Sequence, residues 1–184
     1  VLEAHGDRVL GRREEAAAGF RQAAAADDAS AVALRYAARG LMLIGQKDEA
    51  RGALETLVAR QTAGEQEVQA RSWARRELVT LTAEDATFPA LMRGIEILKR
   101  NAGATWTNSP EDASLAVSLL AARPEPQCWR RAVEVLDQLD TKQLLTVDQC
   151  VLRARLRDRL GGWETCRAEL LALATKPDVP ATVY

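Results

Sequence analysis

The chain carries a single histidine, only three cysteines and few aromatic residues, 4% of the total. Each scarcity removes a class of function. One histidine, His5, cannot assemble a metal cluster, and no serine or cysteine has an evident base to activate it. Cys128, Cys150 and Cys166 form no C-x-x-C pair and are odd in number. Neither a zinc site nor a disulfide framework is expected, and reduced thiols in apolar surroundings fit a cytoplasmic setting. No run of about eighteen apolar residues occurs, so no membrane-spanning helix is expected. There is no G-x-G-x-x-G and no phosphate-cradling loop, which leaves nucleotide cofactors without a seat. The formal net charge of -1 supplies no global basic field for a polyanion. The opening Val1-Leu-Glu-Ala-His5 lacks the pattern of a signal peptide and an initiator methionine, so a piece of a longer chain is expected.

What the sequence does have is 47% hydrophobic content, carried by alanine and leucine, and a stretch that comes back. Gly11, Ala16, Phe20 and Ala23 recur 34 residues later as Gly45, Ala50, Leu54 and Leu57, and again as Gly161, Cys166, Leu170 and Leu173. A fixed period of this kind is the mark of stacked repeats, each unit burying its apolar face on its neighbours. Seven residues before each glycine stands a small residue, Ala4, Ala38 or Ala154. Small side chains there let two helix backbones approach closely.

The irregular middle keeps the same slots with longer gaps. Phe20, Leu54, Ile95, Leu136 and Leu170 are spaced 34, 41, 41 and 34 residues apart. Ala23, Leu57, Leu98, Leu139 and Leu173 repeat those intervals, as do Ala16, Ala50, Leu91, Ala132 and Cys166. The extra residues fall in the loops 101–110 and 123–126, where insertions cost little. Helices are expected over about 31–44 and 47–60, with starts at Ser109-Pro110 and Thr146 and a polar linker at 61–65. The acidic pairs Glu14-Glu15, Asp48-Glu49 and Glu84-Asp85 sit at helix beginnings, where they complement the macrodipole better than they suit catalysis.

These residues resemble the tetratricopeptide repeat, whose period is about 34 residues with two helices per unit. The resemblance rests on Ala4/Ala38/Ala154, on the turn glycines Gly11/Gly45/Gly161, and on the small and large slots of the second helices. Leu91 in a small slot and the proline loop of unit four depart from the family pattern. The resemblance implies an all-α, right-handed solenoid of antiparallel helix pairs spanning 1–184. Its repeats are 1–30 with a truncated first helix, 31–64, 65–105, 106–145 and 146–179, followed by the start of a further helix at 180–184. It implies a non-catalytic scaffold that docks a peptide or protein along first-helix faces.

Candidate contacts follow from that implication. Arg35, Arg39 and Met42 share a face beside the Leu34/Ala38/Leu41 stripe, and Arg71/Arg75 and Arg155/Arg159 repeat the arrangement. If these faces line one groove, they form a ladder of guanidinium forks for an acidic peptide or a C-terminal carboxylate. The competing reading is a solvated face whose arginines pair with nearby acids. Trp129 and Trp163 are expected in the core, and Trp73 packed with Ala70 and Ala74. Trp106 is either an exposed anchor or folded back on a helix end. No cofactor, metal or catalytic residue is expected. The other function classes are a spacer arm of a larger protein and, against the net charge, an RNA-reading helical repeat.

Overall fold

A computed structural model describes residues 1–26, 29–60, 64–83, 87–103 and 105–175. Among these the protein is all-helical, with no strand. The ten α-helices are α1 (Leu2–Val9), α2 (Arg13–Ala25), α3 (Ala31–Leu43), α4 (Lys47–Ala59), α5 (Glu65–Ala83), α6 (Phe88–Ala102), α7 (Pro110–Ala121), α8 (Pro126–Asp140), α9 (Val147–Arg159) and α10 (Trp163–Ala174). A single 3₁₀ turn, Trp106–Asn108, precedes α7. Most of the linker at 61–65, the pair Glu84-Asp85 and the expected helix start at 180–184 lie outside the described residues. No described helix is long and apolar enough to cross a membrane.

Contacts divide the chain into two compact units, Val1–Gly94 and Ile95–Tyr184. In the first, α1 packs on α2, α2 on α3, α3 on α4 and α4 on α5, and α3 also touches α5 as α2 touches α4. Helices therefore alternate between two rows. In the second, α7 packs on α8, α8 on α9, and α9 on α10, with the 3₁₀ turn against α7 and α8.

The recurring glycines do one local job. Gly11, Gly45 and Gly161 adopt φ of 78°, 85° and 87°, a region closed to most side chains. Each closes its helix with the same pair of bonds. Around Gly45, the Gln46 amide donates to the Leu41 carbonyl at 2.9 Å and the Gly45 amide to Met42 at 3.1 Å. Arg12 to Asp7 and Gly162 to Arg157 reproduce the longer bond, so orphan carbonyls are satisfied and the chain turns sharply. After α8, where no glycine stands, Gln143 takes the left-handed conformation at φ 56°.

The slots inferred from the sequence are where the core sits. Ala16, Ala50, Leu91, Ala132 and Cys166 are all buried, and so are Phe20, Leu54, Ile95 and Leu136; Leu170 is half-buried. Ala4 packs so closely on α2 that a Cβ on Gly19 would lie 2.8 Å from its own. Trp73 is partly buried against the cluster holding Ala70 and Ala74. Trp106 is buried beside α7 and α8, which rules out an exposed anchor.

Two helix starts behave differently from each other. Thr146 caps α9 in a reciprocal box with Gln149. Ser109 precedes Pro110 as expected, but its hydroxyl donates to the buried Asp112 instead of capping the backbone. The Asn101 amide donates to the same carboxylate at 3.2 Å, so the acid is held by side chains.

Trp163 corrects an expectation. It is 60% exposed at the start of α10, although the equivalent Trp129 is half-buried. Trp129 earns its place by a hydrogen bond, its indole N–H reaching the Arg123 carbonyl at 2.6 Å across the proline loop. That bond closes the end of α7, where no glycine turn does so. Trp163 follows Gly161 and Gly162, whose turn already satisfies the α9 carbonyls, and has no such bond to make.

Candidate docking groove

The seven residues singled out from the sequence separate into three groups. Arg35, Arg39 and Met42 stand on one side of α3 in the first unit, and α3 is held by its buried stripe of Leu34, Ala38 and Leu41. With that stripe turned inward, the 3.6-residue period leaves Val32, Tyr36, Arg39 and Leu43 on an open face with Arg35 and Met42 beside them. Three adjoining depressions lie along this face, and Arg39 borders all of them.

One depression separates α3 from α5. Arg35, Tyr36 and Arg39 form one wall, and Gln66 and Gln69 the other. A second, bordered by Met42, Leu43, Trp73 and Glu77, continues along the same two helices. The Arg35 guanidinium lies over the Trp73 ring, 5.1 Å from its centroid. Stacking of this kind fixes the plane of the fork while leaving its N–H edge open to an acceptor. Among the described residues neither Arg35 nor Arg39 makes an ion pair. Among the described residues Glu77 is the one carboxylate bordering these two depressions.

The third depression, a cleft of about 650 Å³, separates α1 from α3. Leu2, Val32, Tyr36 and Leu43 give it apolar walls, and all four are exposed. Phe20 from α2 forms the floor and reaches α3 because Gly40 has no side chain. His5, exposed as a surface histidine should be, sits on the α1 side with Arg8.

Arg71 and Arg75 border none of the three depressions. Arg71 turns to the end of α4, donating to the Arg60 carbonyl at 3.3 Å, and Arg75 is half-buried. Arg155 and Arg159 lie in the second unit, both exposed, with Arg159 over the Trp129 ring at 5.3 Å.

The arginines that matter most within the second unit are two others. Arg153 and Arg157 on α9 meet Asp137 and Asp140 of α8 and Glu169 of α10. Arg153 pairs with them at 3.1, 2.9 and 3.2 Å, and Arg157 with Asp137 at 2.7 Å and with Glu169. Burial opposes the Arg153 charge, but its hydrogen bond to Asp140 and the fields of Glu169, Asp140 and Asp137 outweigh it and raise its pKa. The network joins three helices. It is a structural tie: the terminal nitrogens of both arginines are taken by acids, while the buried Arg153 Nε–H has no acceptor among the described residues.

The sequence reading missed Val32, Tyr36 and Leu43 as groove residues. Their signal was the i, i+4, i+7, i+11 spacing of Val32, Tyr36, Arg39 and Leu43, which places them on the face left open once Leu34 and Leu41 turn inward. It also missed Arg153 and Arg157, because a two-residue shift from Arg155 moves a side chain about 200° around a helix. Among the described residues no group of histidine, cysteine and acidic side chains is arranged to hold a metal ion. No family model, curated protein or solved structure matches the chain.

Proposed function

We propose that the chain is a non-catalytic docking segment whose first unit binds an acidic peptide stretch of a partner protein over α3. One observation carries the reading. Arg35 and Arg39 stand side by side without an ion pair among the described residues, one held flat by an aromatic ring, above open depressions with apolar borders. Guanidinium forks so held suit carboxylates in bidentate pairs, and apolar borders lower the local dielectric that would otherwise screen them. In the wider frame the chain reads as an array of tetratricopeptide-like pairs in a right-handed solenoid. The 34-residue glycine register and the alternation of helices between two rows in the first unit support that reading.

The test is fluorescence anisotropy with labelled, glutamate-rich nine-residue peptides against the protein and its Arg35→Glu/Arg39→Glu double variant. Reversing two forks is expected to weaken binding about tenfold or more, with weakening salt dependence in the variant. Equal affinity for both proteins would sink the reading. Both side chains are exposed, so the variant is expected to keep its helix content.

A further inference from the structure

Resting on that reading, we infer that the docked segment is internal to its own chain and carries a large aliphatic or aromatic residue, flanked by acids, that enters the cleft between α1 and α3. The cleft is apolar at its centre and cationic at both sides. Leu2, Val32, Tyr36 and Leu43 leave apolar surface in water there, and Phe20 closes the bottom. Arg8 stands on the α1 side and Arg39 on the α3 side. No carboxylate borders it among the described residues.

Arg8 supplies the second argument. Its Nε–H is buried with no acceptor among the described residues, and the side chain makes no ion pair there. The Arg8 fork therefore has no internal acid to give up when a ligand carboxylate meets it at the cleft. Arg39 is shared with the neighbouring depression that holds Arg35. An apolar side chain in the cleft therefore sets its chain neighbours between Arg8 on one side and the Arg39/Arg35 pair on the other. A bare C-terminal carboxylate meets one of these sites; an acid–apolar–acid stretch meets all three. Charge complementarity and exposed apolar area thus select the same ligand.

Three labelled peptides with amidated C-termini test this on the 184-residue chain: glutamates around a central leucine, the same with central alanine, and the leucine peptide with lysine for glutamate. The leucine peptide is expected to bind about tenfold more tightly than the alanine peptide, and the lysine peptide not at all. Leu43→Asp and Val32→Asp, both at exposed positions, are expected to erase the leucine preference while circular dichroism stays unchanged. Arg8→Gln is expected to weaken the leucine peptide about threefold or more and to leave that preference in place. Equal binding of the leucine and alanine peptides, still lost in the Arg35/Arg39 double variant, overturns the anchor and leaves the docking reading standing. Failure of every acidic peptide to bind overturns both.

Discussion

Gly40 stands where only a hydrogen fits. A Cβ built on it would lie 2.4 Å from the tip of the Phe20 ring, and Phe20 is 1% exposed. Gly40→Ala is therefore expected to cost about 1–3 kcal/mol in chemical denaturation, the usual penalty of overpacking a filled core. A loss below about 0.5 kcal/mol would mean the ring relocates freely, and the floor of the cleft with it. Gly40 is not one of the turn glycines. Its role comes from a contact twenty residues away in sequence, which is why no local pattern marks it. Trp163 makes the same point in reverse, since its position in the repeat matches Trp129 but the bond that buries Trp129 has no counterpart.

At the scale of elements, α9 shows how one helix carries arginines of opposite fate. Arg153 is turned between α8 and α10, its side chain 11% exposed, while Arg155 points to solvent. Replacing Arg153 by methionine keeps the apolar stem but takes the arginine away from Asp140 and leaves Asp137 and Glu169 to Arg157 alone. Uncompensated charge at such a site is expected to destabilise by about 2–3 kcal/mol, less than for a fully buried pair because Asp137 and Asp140 are half in water. Arg155→Met is expected to change stability by less than about 0.5 kcal/mol. Thermal or urea unfolding of the two variants side by side decides it. Equal effects would show that the network contributes nothing beyond surface pairing.

At the scale of the whole molecule, all three cysteines fall in the second unit, and two of them fill its core. Burial pushes the Cys128 thiol above its ordinary 9.0, helped by Glu125 and opposed by Arg123 and Arg131. Burial likewise raises Cys166, with Asp158 and Glu169 adding to it. A raised pKa in the folded state means the contribution is whole below pH 9.0 and is lost as pH climbs through the raised value. Stability is thus expected to fall above about pH 9, and the Cys128→Ala/Cys166→Ala variant to fall less steeply. Alanine already fills the Cys166 slot as Ala16, Ala50 and Ala132 in other repeats, so the variant is expected to fold. Identical alkaline slopes for the two proteins would contradict the assignment.

The sequence by itself determined α3 and α4, the starts of α7 and α9, the glycine turns and the register of small and large slots. These depend on periodicity within one helix and on the left-handed backbone that glycine alone takes easily, both local to a few residues. Even the irregular middle obeyed, since Leu91, Ile95 and Leu98 are buried where the spacing put them. Only the tertiary structure decided which arginines are spent and which are open. A guanidinium's partner lies one or two helices away, so Arg153 and Arg157 are engaged by α8 and α10 while Arg35 rests on a tryptophan of α5. The same holds for the cleft between α1 and α3. Its walls are ordinary exposed residues in sequence, and they become a site only because Gly40 lets Phe20 close the space between two helices.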